Sequence, residues 1–126
     1  MKIKTTELTG KALDWSVGVA VGYDVDVFTT RLQTRLIGQL CSTHWNPTTS
    51  WGQLGPLLIG TNFILEEILG ATECSKYRCV VDYLIKDVLR PQFRVSSTGD
   101  TPQIAACRAI VAARLGDEVD VPEVMV

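Results

Sequence analysis

Between Leu8 and Gly22 the apolar residues return every three or four positions. Leu8, Ala12, Trp15 and Val19 form one stripe, and Leu13, Val17 and Ala20 widen it, which predicts an amphipathic helix. Thr6 or Thr9 can cap its start through a side-chain oxygen, and Gly22 suits the left-handed residue that closes it. Gly18 lies inside the helix, where it costs up to about 1 kcal/mol relative to alanine, so a close backbone approach is expected there. On either side the period changes to two. KIKT alternates as a short edge strand would, and YDVDVFTT sets Val25 and Val27 against Asp24 and Asp26, the pattern of a half-buried strand. In RLQTRLIGQLCSTHW, Leu32, Leu36 and Leu40 follow Phe28 at helical spacing, yet the stretch is read as a second strand ending near Cys41.

The second half follows the same logic. LLIGTNFILEEIL, from Leu57 to Leu69, reads as a short helix or turn with an apolar face. KYRCVVDYLIKDV places Cys79, Val81, Tyr83 and Ile85 at period two and predicts a strand, which Pro91 stops. VSSTGDT reads as a polar turn. In DTPQIAACRAIVAARLGDE, Thr101 is the expected N-cap, Pro102 the first helical residue and Gly116 the stop. Ile104, Cys107, Val111 and Leu115 form the inward face, and Arg114 near the end favours the helix dipole. The tail from about Asp117 is acidic and extended. The expected fold is a small α+β domain spanning residues 1–126, without repeats or an internal linker. A few-stranded, largely antiparallel sheet packs against an N-terminal and a C-terminal helix.

Composition narrows the function more than the fold. Apolar residues make up 46% and charged residues 21%, the balance of a folded globular chain and not of a disordered one. A net charge of -2, with basic residues scattered from Lys2 to Arg114, disfavours nucleic acid as partner. MKIKTTELTG turns polar where a secretory signal needs an apolar core. The uncharged run from Leu36 to Leu65 is interrupted by polar residues such as Gln39, His44, Asn46, Gln53 and Asn62, so no membrane span is expected. A cytoplasmic protein follows, with Cys41, Cys74, Cys79 and Cys107 reduced and by default buried.

Motifs for chemistry are sparse. Cys41 and His44, with Cys74 and Cys79, could supply four zinc ligands, but neither pair sits in a short Gly-rich knuckle and Cys79 lies in an apolar strand pattern. Buried thiols and a surface histidine are the preferred reading. One histidine and no G-x-S-x-G turn give a poor basis for nucleophilic catalysis. The carboxylate groups Glu66–Glu67, Asp24–Asp26 and Asp117–Glu118–Asp120 fit solvated positions better than acid–base roles. No catalytic residue, cofactor or metal is assigned. WNPTTSWGQLGPLL, from Trp45 to Leu58, holds two of the three tryptophans and no charge. Asn46-Pro47 starts a turn, and Gly52, Gly55 and Pro56 continue an irregular path. Both Trp45 and Trp51 are expected to pack into the core, leaving the Asn46-Pro47 turn as the exposed feature.

Three blocks resemble the NinX-like family of phage and prophage proteins, a domain of unknown function from lambdoid genomes. They are KIKTTELTGKALDWSVGVAVGY, WNPTTSWGQLGPLL and TPQIAACRAIVAARLGDEVDVPE. By identity they carry Thr9, Gly10, Leu13, Asp14 and Trp15, then Asn46, Pro47, Trp51, Gly55 and Pro56, then Thr101, Pro102 and Arg108. Arg31 to Leu40 and Gly60 to Ser97 carry no motif of the family. The resemblance implies a small accessory protein of an infected or lysogenic host cytoplasm, with no established catalytic residues. Among the shared positions Asp14, Asn46 and Arg108 are the polar ones that caps, turns and core leave unexplained, and Arg108 is expected to pair with Asp14 or to meet a ligand. The leading expectation is a non-enzymatic binding protein using Asp14, Trp45, Asn46, Pro47, Trp51 and Arg108. Its partner would be a host or phage protein, or a second copy in a homo-oligomer. A small hydrolase or nucleotide-binding enzyme would need Asp14, Asn46 and Arg108 within roughly 12 Å in one cleft. A nucleic-acid-binding accessory factor would show affinity falling steeply with salt.

Overall fold

The computed structural model describes residues 1–27, 32–36, 39–58, 62–70, 76–84 and 92–123. In chain order the elements are β1 (Lys2–Lys4), a 3-10 turn (Thr5–Glu7), α1 (Gly10–Ala20), β2 (Asp24–Val27), β3 (Leu32–Leu36) and β4 (Gln39–His44). Then come α2 (Trp51–Leu58), β5 (Asn62–Glu67), β6 (Tyr77–Leu84), β7 (Gln92–Gly99), α3 (Pro102–Leu115) and β8 (Glu118–Asp120). Among the described residues these strands make three antiparallel ladders: β1-β8, β2-β3-β4 and β5-β6-β7. The expected α+β class with antiparallel pairing is what forms.

The centre is α3. It lies across β6 and β7 on one side and against α1 on another. Every residue from Ala105 to Val111 is buried, so the expected inward stripe was too narrow. Cys107 and Val111 are enclosed as predicted, whereas Ile104 and Leu115 only flank the core. The alanines hid this. They are neutral in a periodicity reading, yet their small side chains let elements approach from several sides, and a helix apolar all round is a buried one. Its start follows the prediction: Thr101 Oγ1 accepts the Ile104 N–H at 3.1 Å, Pro102 opens the first turn and Gly116 closes the helix at φ 91°.

Across the β5-β6-β7 ladder the register puts Leu65, Cys79 and Ser97 in one row and Phe63, Val81 and Val95 in the next. Cys79, Val81 and Ser97 are buried, which identifies this as the face covered by α3. On the opposite face Glu66 and Arg78 form an exposed ion pair.

Several expectations need correction. The stretch from Leu57 to Leu69 is not one short helix: Leu57 and Leu58 end α2, and Asn62–Glu67 form β5. Among the described residues this strand pairs with β6 alone, and it leaves both Phe63 and Ile64 exposed, so the alternation that marks a half-buried strand is missing. VSSTG is not a turn but the end of β7. Small residues stand there because α3 packs closely: a methyl group on Gly99 would lie 2.8 Å from the Ala105 nitrogen. The single strand expected to end near Cys41 is two, β3 and β4, paired to each other. In α1 the buried positions centre on Leu13 and Val17, while Val19 is exposed. Thr9 occupies the N-cap of α1 without a side-chain cap bond. The acidic tail is extended as expected, and β8 pairs with β1 through Ile3 and Val119. Phe28, Cys74, Ile85 and Pro91 lie outside the described residues.

Cys79 and Cys107 are buried free thiols on facing elements. Burial raises the Cys79 pKa from the ordinary 9.0 to about 11. Burial also raises Cys107, with the nearby Asp14 carboxylate and then Cys79 adding to it. A raised folded-state pKa keeps stability intact below pH 9 and removes it as the solution rises towards 11, because only unfolded thiols ionise there. In a Cys41→Ser, Cys74→Ser background, urea unfolding should show stability falling by about 1.4 kcal/mol per pH unit per thiol between pH 9.0 and about 11. At pH 8 a thiol reagent should label this variant only after unfolding.

Candidate functional site

Asp14, in the second turn of α1, is buried although it is an acid. Two hydrogen bonds tie it to the Trp45–Leu58 segment. The Trp45 indole N–H donates to the Asp14 backbone carbonyl at 2.7 Å, and the Thr48 backbone N–H donates to the Asp14 carboxylate at 2.9 Å. One residue of α1 thus holds both ends of the sequence Trp45-Asn46-Pro47-Thr48. Gly18, one turn further along, makes the indole contact possible. A Cβ there would run into the Val25 side chain and sit 3.1 Å from Trp45 Nε1. The close approach expected at Gly18 is therefore real, and its occupants are the Val25 side chain and the tryptophan ring. Tyr23 meets the same ring edge-on, with centroids 5.5 Å apart and planes at 70°.

Asn46 organises the turn that follows. Its carbonyl accepts the N–H groups of Thr49 and Ser50, both at 3.0 Å, and its own N–H donates to Gln53 Oε1 at 2.6 Å. The side chain does not close an Asx turn. Instead, Asn46 Nδ2 donates to Thr49 Oγ1 at 2.9 Å. Ser50 O then accepts the Leu54 N–H, and α2 begins. The expected irregular path through Gly52, Gly55 and Pro56 is this helix, with Pro56 inside it. Pro56 removes one helical hydrogen bond in a helix of two turns, which explains why the segment read as a loop.

Burial divides the predicted contact residues. Trp45 is in the core, as expected. Trp51 is not: it is 46% exposed on the first turn of α2, while Leu54 and Leu58 further along that helix are buried. Pro47 is fully buried, so the Asn46-Pro47 turn is not the exposed feature, and Asn46 itself is only partly accessible. The reason is the Asp14 clamp, which pulls the turn onto α1 and leaves the next helix to carry the second indole outward.

Arg108 is buried on α3. Its Nε donates to the Leu8 carbonyl at 2.9 Å and a terminal nitrogen donates to the Thr98 carbonyl at 2.8 Å. It ties the entry of α1 to the end of β7. Asp14, Asn46 and Arg108 are thus each engaged in holding main chain or turn structure. Among the described residues no three His, Cys, Asp or Glu side chains converge to hold a metal. Cys74 and the side chains of Cys41 and His44 fall outside that description. Sequence reasoning missed Thr48, Gln53 and Tyr23. Gln53 alone left a signal, as an uncharged hydrogen-bonding side chain close behind a Pro-containing turn.

A family model described as "Bacteriophage P22, NinX" matches residues 4–114, a span that includes Arg31–Leu40 and Gly60–Ser97, where no shared motif was evident. Among curated proteins, none matches the chain.

Two substitutions test the clamp. Asp14→Ala leaves the Thr48 N–H buried without its charged acceptor and should lower the urea-unfolding free energy by about 2–3 kcal/mol, with Asp14→Asn recovering part of it. Gly18→Ala gains helix propensity but forces the Trp45 and Val25 side chains aside, so a net loss of about 1–2 kcal/mol is expected, with altered tryptophan fluorescence.

Proposed function

The chain belongs to the NinX family of bacteriophage proteins, and from that premise we propose that it is a non-enzymatic accessory protein. It acts in the host cytoplasm by binding a host or phage protein through the exposed face of α2. The supporting observation is Trp51: a large aromatic residue, nearly half exposed, on the first turn of a helix that Leu54 and Leu58 anchor in the core. Gly52 and Pro56 are exposed on the same helix, and neither they nor Gly55 raises a long side chain beside the indole.

Rigidity matters as much as exposure. Binding energy is lost whenever a contact residue has to be ordered on association. Here the hydrogen bonds of Asn46, Ser50 and Gln53 fix the start of α2 before any partner arrives. Tryptophan is also among the residues most often found at the energetic centre of protein interfaces. An enzymatic role has less support, since the polar residues shared by the family are occupied with the fold.

The test compares Trp51→Ala with Ile64→Ala, which alters the outer face of β5. Both should stay folded, with losses of no more than about 2 kcal/mol by urea unfolding. A protein captured from infected cells by the parent chain should remain on Ile64→Ala and bind Trp51→Ala at least about 100-fold more weakly. Equal capture by all three chains would reject the α2 surface as the contact.

A further inference from the structure

A recess of about 250 Å³ lies between β7, the C-terminal half of α3 and the N-terminal segment. Val95 and Ser97 of β7 and Ala112 of α3 line it, and Lys4, Asp117 and Glu118 stand around it. Its chemistry is uneven. Apolar walls are paired with the hydroxyls of the exposed Thr6 and Ser96 and with one buried hydroxyl that the fold leaves unused.

That hydroxyl belongs to Ser97, which is only 7% exposed and faces α3. Its side chain takes part in none of the hydrogen bonds of the described residues. Yet no sealed side-chain nitrogen or oxygen among those residues lacks a partner. The Ser97 oxygen must therefore be reached from the recess. Thr5, by contrast, is fully used: its hydroxyl donates to the Gly116 carbonyl at 2.6 Å and its N–H to the Asp117 carbonyl at 2.7 Å. These bonds hold the rim in place.

The charge around the recess has a sign. Lys4 and Glu118 are direct cross-strand partners in the β1-β8 ladder, so one base stands against one acid. Asp117 remains. The carbonyl end of α3, which stops at Gly116 beside it, adds roughly half a negative charge. The volume has room for about eight waters, enough for a short alkyl chain with a polar head and too little for a nucleotide. The geometry points to a binding site for a primary alkylammonium group. Its stem would lie along Val95 and Ala112, and its head would donate to Ser97 Oγ and the Asp117 carboxylate.

Amide chemical shifts of the full chain, titrated with n-butylammonium chloride, test the assignment. Saturable shifts are expected at Ser97, Ala112 and Asp117, with a Kd on the order of 1 mM. Ser97→Ala and Asp117→Asn should each weaken binding about 5-fold or more while unfolding at the parent's urea midpoint, because both keep the backbone bonds. Lys4→Met should tighten it, by removing the competing positive charge. N-acetyl-lysine methylamide distinguishes the source: tighter binding than butylammonium assigns the site to a partner's lysine side chain, and weaker binding to a free amine. Absence of saturable shifts, or equal shifts with n-butanol or butyrate, would overturn the proposal, as would a Lys4→Met variant that binds no better.

Discussion

The Trp45 indole and the Thr48 amide both end on Asp14, one on its carbonyl and the other on its carboxylate. Burying an acid and a large ring together is costly unless each polar atom finds a partner. Asp14 supplies the indole and the amide with one acceptor each, and Gly18 leaves room for the ring to lie. Everything from Trp45 to Leu58 inherits its position from this point: the buried Pro47, the turn organised by Asn46, and the direction in which α2 leaves it. Asp14 and Asn46 are, on this view, the parts of a joint.

A second joint lies at the other side of α3. Arg108 binds the carbonyls of Leu8 and Thr98, residues far apart in sequence that would otherwise present unpaired acceptors near a crowded helix. A guanidinium can do this because its donors are fixed in a plane and point in different directions. The helix that carries it is built largely of alanine, cysteine and valine where it is buried, so close approach on several sides replaces bulk as the source of packing. The two joints let three small ladders and three helices share one core.

Much of this fold was legible where local chemistry and periodicity agreed. Thr101, Pro102 and Gly116 marked α3 because capping, φ and left-handed closure are properties of single residues. Val25 and Val27 marked β2 by alternation, and Gly18 announced a close approach without naming what approached. The failures share a cause. Ser96 and Ser97 read as a turn because their place in β7 depends on what covers them, and Phe63 with Ile64 read as helix because β5 has only one neighbour among the described strands. Trp51 and Pro47 exchanged their expected exposures for the same reason. Which indole is enclosed depends on a carbonyl 31 positions away in the chain, and no local pattern carries that. The recess beside Ser97 was invisible in sequence, since it joins residues from both ends of the chain.

The lack of any ionisable side chain in α2 has a kinetic consequence. A partner landing on Trp51 would find no local charge to steer it, so encounter there would proceed at about 10⁵–10⁶ M⁻¹s⁻¹, the range for unsteered association. Ionic strength would change that rate little, because Debye screening has no pair of opposite charges to act on. Affinity at such a surface is then set by how long the complex lasts. A protein that works this way depends on its copy number in the cell, and a surge in its synthesis would fill the partner without any change in the contact itself.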